Sequence, residues 1–596
     1  MAVDSRVLRG RMGYELTEKP VSLGKTIKRL AGYISSDKKT VVFLFFSVLG
    51  MVLCTVAIPV VQSKAIDDIT NGDFVRFFHI LFIILALYIV ECAFYWIQGS
   101  LSAVLSQKVV KRMRAELFCK MVSLPISYIE SNENGELMSR VTNDIENVSN
   151  TISQSASSLF SGLLTIIGTV TMMVYLSPRL AAVSCTTIIL TVVVTKILTD
   201  AIRKLFRKRQ ALMGELSGNV EEIISSYRTV IAYNCQNYTE EHFNKVADEL
   251  TSVGIYAEIV SGVMGPVSNA INNISFVLVA VFGSYYAIKG YITIGIISAF
   301  IVYARQFGRP IRELAQVYGQ LQTAVAGAER VFETIDETPE NKDGIEVVST
   351  LRPRLSFKDV CFSYDGKHKV IDSFNLDIEE GQKIALVGAT GSGKTTIVSL
   401  LMRFYDIDSG SICIDGVDIS KISRDDLRKN ISSVLQDSFF FEDTIENNLK
   451  YSNENASLQD MYEAAKVSNI DKYIKQLPKG YKNLIRSVGT NMSQGQRQLL
   501  SIARAFIAKP KILILDEATS NIDTRTEKII QDAMVGLMKN RTSLIIAHRL
   551  STIKDADKII VMDKGSIVET GKHNELMLKK GKYYNLYMTQ YAGMST

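Results

Sequence analysis

The segment Gly388-Ala-Thr-Gly-Ser-Gly-Lys-Thr395 has the spacing G-x-x-x-x-G-K-[ST] of a loop that cradles phosphates. Gly388, Gly391 and Gly393 free the backbone so that its N–H groups can point at an anion, and Ser392 lies among them. A helix opening at this point adds positive potential. Lys394 can reach the β- and γ-phosphates of a nucleoside triphosphate, and the Thr395 hydroxyl can hold Mg²⁺, with Thr396 beside it in the first turn. The second set of chemical groups is Asp516 and Glu517, which end the apolar run Lys511-Ile-Leu-Ile-Leu515. A carboxylate at a strand end suits Mg²⁺, directly or through water, and its neighbour is placed to orient or deprotonate an attacking water. A buried strand accounts for the apolar run alone, not for paired acids at its carboxyl end. Tyr364, in Phe362-Ser-Tyr-Asp-Gly366, precedes the loop and offers a ring on which adenine can stack.

These residues need a scaffold. Lys383-Ile-Ala-Leu-Val387 reads as a buried strand before the loop, and Thr396-Ile-Val-Ser-Leu-Leu-Met-Arg403 has helical apolar spacing after it. The domain they imply runs from Leu355 to the C-terminus (355–596), preceded by a polar linker at 337–354.

The rest of the 596 residues has a different character. Hydrophobic residues make up 47% of the chain and mean hydropathy is +0.14, yet 21% of residues are charged. That mixture fits a membrane part joined to a water-soluble part. A net charge of only +6 gives no sign of nucleic acid as a partner and matches the excess of Lys and Arg on the cytoplasmic face of membrane proteins. The seven cysteines are scattered without a C-x-x-C, which argues against a disulfide framework or a metal site. Nine Lys or Arg in the first 40 residues, with no apolar stretch among them, do not form a secretory leader.

Residues 1–40 are expected to form a tail and a basic interfacial helix over 22–38, with Lys25, Lys28 and Arg29 toward lipid head groups. A transmembrane domain follows over 41–336. Val41–Val61 gives 21 uncharged residues, enough for a ~30 Å hydrocarbon core. Further spans are expected at about 77–105, 151–176, 180–200, 259–288 and 291–312, with a kink at Pro310. Positive charge concentrates in the N-terminus, in 108–120 and in 203–209, which places those segments and both termini in the cytoplasm. Two long cytoplasmic excursions, 106–150 and 201–256, carry short central segments at 131–140 and 230–236 that should dock on another domain. Polar groups within spans are candidates for cargo contact because their burial in lipid is costly. Glu91 is the outlier; Asn269, Asn272 and Asn273 have helical spacing, and helix-to-helix hydrogen bonding is the alternative role for all four.

On these features the chain resembles a half-transporter of the ABC exporter family over nearly its whole length, and within it the catalytically intact chain of bacterial heterodimeric multidrug exporters. Met492-Ser-Gln-Gly-Gln496 resembles the family signature LSGGQ, keeping Ser493, Gly495 and Gln496 and departing at Met492 and Gln494. Gln436 in Val434-Leu-Gln-Asp437 resembles the Q-loop glutamine, which senses Mg²⁺; Asp523 in Ser520-Asn-Ile-Asp523 belongs to a D-loop-like stretch; His548 in Ala547-His-Arg-Leu550 resembles the switch histidine at the γ-phosphate.

The resemblance implies an all-α six-helix transmembrane domain with long cytoplasmic helix extensions, plus an α/β P-loop nucleotide-binding domain. It implies ATP and Mg²⁺ as cofactors and Glu517, His548 and Gln436 as catalytic residues. Two chains would close head to tail, each ATP lying between one chain's P-loop and the other's signature, with 131–140 and 230–236 as coupling helices. The partner is a second half-transporter, a heterodimer being favoured over a homodimer, in a bacterial plasma membrane. The cargo would be a hydrophobic or amphipathic drug, lipid or peptide. A regulatory or channel-like protein with little turnover is the alternative; the presence of Glu517 and His548 speaks against it. An importer half is disfavoured by the fusion of spans and ATPase.

Overall fold

The computed structural model describes residues 23–341, 344, 352–435, 439–486, 492–517, 524–547 and 553–592. Two compact units emerge: Met1–Ser123 with Asn132–Thr338, and Leu124–Ser131 with Pro339–Thr596.

The first unit is helical. Helix α1 (Leu23–Ser35) leads into α2 (Lys38–Thr70), capped by the Asp37 carboxylate on the Thr40 N–H, and α3 (Phe74–Val122), capped by Asp73 on Arg76 N–H. At 49 residues α3 is ~73 Å long and far exceeds a membrane span. It ends before Pro125, which disfavours helix in the residue ahead of it. The short α4 (Ile126–Ser131) and α5 (Asn134–Ser139) follow, then a π-helical turn over Arg140–Asp144, α6 (Ile145–Asn150), a second π turn over Thr151–Ser155, and α7 (Ala156–Leu176). Ser177 caps α8 (Pro178–Ser225), with Pro178 in the first turn, where a missing N–H costs no hydrogen bond. After α9 (Tyr227–Ala232) come α10 (Gln236–Ile288), α11 (Ile294–Gln306) and α12 (Gly308–Asp336).

Among the described residues, five helical stretches are long and apolar enough to cross a membrane, and α11 is a shorter apolar helix of 13 residues. The expected sixth span, 291–312, is carried by α11 and the start of α12 and is interrupted at Phe307, three residues ahead of Pro310 in the first turn of α12, as the kink expected of that proline. The expected outward orientation of Arg29 fails. Lys25 and Lys28 are exposed, but Arg29 turns inward, donating to Asp336 Oδ2 at 2.6 Å and lying 4.2 Å over the Phe332 ring. Helix α1 is therefore fastened to the end of α12 within this unit.

Helix packing divides this unit along a seam. Val48, Val52 and Val56 line one face of α2 and meet Leu164 and Met172 of α7. Phe300 and Tyr303 of α11 are buried among α7, α8 and α10, and the Tyr303 hydroxyl donates to Val56 O at 2.6 Å. At the end of α2, the Asp67 carboxylate accepts from Thr293 Oγ1 at 2.7 Å and Gly295 N at 2.8 Å. Gly295 is required there, since a Cβ would stand 1.9 Å from Ser63 O. Between α5 and α12 sits a buried polar cluster. Arg140 donates to Thr334 Oγ1 and Glu136 Oε1, both at 2.6 Å, while Arg330 holds Asp144 bidentately at 3.0 and 2.5 Å.

The second unit is α/β. An antiparallel sheet of order β2-β1-β4-β5 uses β1 (Leu355–Ser363), β2 (Lys369–Ile378), β4 (Ser409–Ile414) and β5 (Val417–Asp418). The larger sheet has order β10-β9-β3-β8-β7-β6, from β3 (Lys383–Val387), β6 (Ile431–Val434), β7 (Ile512–Glu517), β8 (Thr542–Ala547), β9 (Lys558–Asp563) and β10 (Ser566–Gly571), parallel except for β10. Its strands are buried on both faces: Ala385, Leu513 and Ile545 pack into one apolar cluster, Ile384, Ile512 and Leu544 into the other. The first cluster includes α15 (Ile445–Lys450), α16 (Leu458–Val467), α17 (Asp471–Gln476) and α18 (Gln494–Ile507); α13 (Lys394–Leu401) and α14 (Arg424–Asn430) contribute to the second. The linker is anchored here: Glu340, half-buried, accepts from Arg424 Nη1 at 2.8 Å and from both Arg428 Nη atoms at 2.8 and 2.7 Å.

Candidate functional site

Strands β3, β8 and β7 are adjacent and parallel, so everything leaving their carboxyl ends meets along one edge. The phosphate loop leaves β3. Gly393 caps α13 with φ +98°, and a Cβ there would lie 2.6 Å from Ile371 Cδ1; a Cβ on Gly388 would lie 2.3 Å from Met562 O. Gly393 is thus fixed by backbone shape, and Gly388 by the space against backbone. Lys394, 6% exposed, folds over its own loop, its Nζ donating to Gly388 O at 2.8 Å, Ala389 O at 2.9 Å and Ser392 Oγ at 3.3 Å. Burial lowers the pKa of its ammonium, while the Asp516 carboxylate opposes the shift. That opposition places Asp516, at the end of β7, within electrostatic reach of the phosphate loop. Thr395 is exposed in the first turn and Thr396 is buried.

The remaining predicted residues divide by location. Glu517 ends β7 in register with Ala547 of β8, the residue before His548; the Glu517 side chain, His548, Gln436 and Asp523 lie outside the described residues. Gln436 follows β6, the neighbour of β7. Ser493 caps α18: its Oγ accepts from Gln496 N at 3.3 Å and Gln496 Oε1 accepts from Ser493 N at 2.9 Å. This reciprocal cap explains glutamine at 496. Gly495 is buried, as is Met492, which fills the helical core as leucine would; Gln494 is half-exposed. Arg504, further along α18, donates to Phe439 O at 3.0 Å and Asn448 O at 2.9 Å, holding the chain that follows Gln436.

Tyr364 stands 53% exposed with its hydroxyl donating to Thr396 Oγ1 at 3.2 Å, so a ring face remains open beside the loop. Its ring is perpendicular to that of Tyr405, a residue that sequence reading passes over, at a centroid distance of 5.0 Å and 89°. Tyr405 in turn donates to Glu130 of α4. Neither residue carries a motif, and only the fold brings them together.

In the helical unit, Glu91 accepts from Thr55 Oγ1 of α2 at 2.5 Å, the helix-to-helix role named above as its alternative. Asn269 and Asn273 are exposed on α10 and Asn272 is half-buried. Helix α10 packs mainly on α8, whereas Glu91 faces α2, so the structure does not gather these residues into one site.

Residues 41–311 match the ABC transporter transmembrane region and residues 371–520 match the ABC transporter family. An ABC transporter ATP-binding protein of Bacillus subtilis is 42% identical over 569 residues, spanning 95% of this chain and 94% of its own. The chain belongs to the ABC transporter family. It is an exporter-type half-transporter, with its membrane part and ATP-hydrolysing part fused, and its ATPase drives transport. A fatty acid ABC transporter ATP-binding/permease protein of Mycobacterium bovis is 39% identical (95% of this chain, 91% of that one), and an ATP-dependent lipid A-core flippase of Syntrophus aciditrophicus is 34% identical (90% of each). Among solved structures, a bacterial Atm1-family ABC exporter with ATP bound superposes with TM-score 0.76 at 26% identity, covering 93% of this chain and 98% of that one. The ABC transporter uses ATP at the nucleotide unit and sits in a membrane through its apolar helices.

Proposed function

We propose that this transporter exports an amphipathic lipid or fatty-acyl compound, working as a dimer in which ATP is held between the phosphate loop of one chain and α18 of the other. The parallel order β3-β8-β7 supports the reading, because the phosphate loop follows β3, Asp516 and Glu517 end β7, and Ala547 ends β8, all at carboxyl ends along one edge of the sheet. Lys394 exchanges its loop carbonyls for the β- and γ-phosphates, and the N–H groups of the loop bind the same oxygens. Thr395 and Asp516 offer a hydroxyl and a carboxylate, the hard oxygen donors that Mg²⁺ takes, and the ion when bound neutralises phosphate charge. Glu517 orients and deprotonates water, His548 contacts the γ-phosphate, and Gln436 reports the state of the site to the membrane part.

The dimer is supported by α9, no residue of which is buried in the single chain: Tyr227 is 60% and Ile231 46% exposed. Such a surface at the tip of a long helical excursion suits docking on a second chain. Gln494, the signature departure that reaches the surface, favours a different chain as partner. Lipid-like cargo is favoured over drugs or peptides by the two relatives whose names carry a fatty acid and a lipid. The positive charge of 203–209 and of the α1 region supports a cytoplasmic side for both termini, and the bacterial relatives support a bacterial plasma membrane.

The deciding experiment is ATP hydrolysis by this chain alone in lipid nanodiscs, beside Glu517→Gln. Turnover by the wild type and none by the variant establishes a homodimer with Glu517 as base. ATP binding without turnover establishes the need for a second chain. Equal turnover by both removes Glu517 from the mechanism.

A further inference from the structure

A continuous chain of contacts leads from the phosphate-loop helix to the turn between α3 and α5. Thr396 Oγ1 accepts from Tyr364, the Tyr364 ring meets Tyr405 edge-on, and the Tyr405 hydroxyl donates to Glu130. Phe362 closes the group, its ring 4.8 Å from Tyr364 and 5.7 Å from Tyr405. Burial and the neighbouring Glu130 carboxylate raise the pKa of Tyr405 well above the usual tyrosine range, so its hydroxyl stays a donor. Two features make this more than packing. Glu130 belongs by sequence to the excursion of the membrane part, yet Leu124–Ser131 clusters with the nucleotide unit. And Tyr364, held by Thr396 at its hydroxyl and in perpendicular ring contact with Tyr405 and Phe362, is still 53% exposed, which leaves ring surface for a base.

We propose that Tyr405 is a positioning residue that joins adenine occupancy at Tyr364 to the placement of α4, so that the base of the nucleotide, and not only its phosphates, is sensed by the 124–131 turn. The inference rests on the ATP-site reading above and adds the residue that receives the turn. Linkage makes the effect reciprocal: if adenine fixes Tyr364 and thereby α4, then loosening α4 weakens adenine binding by the same factor.

The test uses the full chain in nanodiscs, with the exposed cysteines Cys92, Cys119, Cys185 and Cys235 replaced by serine and an environment-sensitive fluorophore on Ser127→Cys of α4. ATP is compared with inorganic tripolyphosphate, which carries the phosphates without a base. In the parent, ATP is expected to change the emission with half-saturation at its binding constant, and tripolyphosphate to change it at least ~3-fold less. Tyr405→Phe keeps the ring against Tyr364 and loses the bond to Glu130. It should cut the ATP signal at least ~3-fold while ATP still binds. Glu130→Gln, which retains an acceptor oxygen, should restore most of the signal that Glu130→Ala loses. Tyr405→Ala should raise KM for ATP about 2- to 10-fold, the worth of one aromatic pair, with kcat and tripolyphosphate inhibition unchanged. A full ATP signal in Tyr405→Phe, or an equal signal from tripolyphosphate, overturns the proposal. ATP hydrolysis is followed on the same samples: its absence from the parent with the signal intact shows that turnover needs a second chain and leaves the proposal standing, whereas no ATP binding by the parent counts against the ATP-site reading alone.

Discussion

Breaking the Asp144–Arg330 pair should cost very different amounts depending on which partner is removed. The Asp144 side chain is 4% exposed and that of Arg330 is 38% exposed. In Arg330→Ala the carboxylate stays behind in a dry site without its fork of donors, a situation that typically costs about 3–5 kcal/mol. In Asp144→Ala the guanidinium left over can turn toward water, and the cost falls to about 1–3 kcal/mol, nearer that of a lost charged hydrogen bond. Replacing both, as Asp144→Leu with Arg330→Met, removes charge and desolvation together and should recover much of the loss. The measurement is the midpoint of heat-induced loss of the monodisperse dimer, taken at one scan rate because unfolding of such a protein is irreversible. The expected order is parent, then double variant, then Asp144→Ala, then Arg330→Ala. Equal midpoints for the two single variants, or a double variant whose loss is the sum of the singles, would refute an argument built on unequal exposure.

Gly295→Ala should destabilise by about 1–3 kcal/mol or more, since the new methyl meets backbone rather than a movable side chain, whereas Gly99→Ala, with nothing within 4 Å, should be neutral or better; the same heating assay compares them. Met492→Leu should change ATP turnover less than about 2-fold and stability by less than ~1.5 kcal/mol, because the side chain is packed into the helical core; a large rise in turnover would show that methionine limits the signature. The linker anchor should be sensitive to acid. Burial pushes the Glu340 carboxyl up, but hydrogen bonds from Arg428 and Arg424 outweigh it, so its pKa is lowered. The stability it contributes is therefore fully present above the ordinary glutamate value of ~4.3 and is lost as pH falls through the lowered value. Proteolysis of the linker should accelerate below that range in the parent, and already at neutral pH in Glu340→Ala.

The nucleotide site was legible because its chemistry is local. Eight residues between a strand and a helix state the phosphate loop, and the strand before Asp516 announces its own burial. Apolar run lengths likewise marked the spans, since hydrocarbon thickness sets them. What escaped was every contact joining distant segments. Tyr405 has no motif; Glu130 is one acid among several in its excursion; Arg29 has the amphipathic spacing of a head-group residue, and only the position of Asp336 turns it inward. The first excursion carries two short helices, α5 within the expected 131–140 and α4 at 126–131 ahead of it, which the sequence reading did not mark as an element of its own. The break at Phe307 follows from Pro310, whose missing N–H and ring disturb the turn that precedes it, so the expected kink lies where a proline produces it. Glu91 looked like a site because burial of an acid is costly; a hydroxyl on the next helix meets that cost as well as a cargo would.

The assignment of Leu124–Ser131 to the nucleotide unit also orders events during synthesis. This piece leaves the ribosome about two hundred residues before the first strand of the unit it completes, a wait of roughly 10–40 s at ~5–20 residues per second. The membrane helices inserted in the meantime must hold the turn in place for a domain that does not yet exist, so maturation of the nucleotide unit is conditional on correct insertion of the spans, and a misinserted chain is left without one of that unit's own parts.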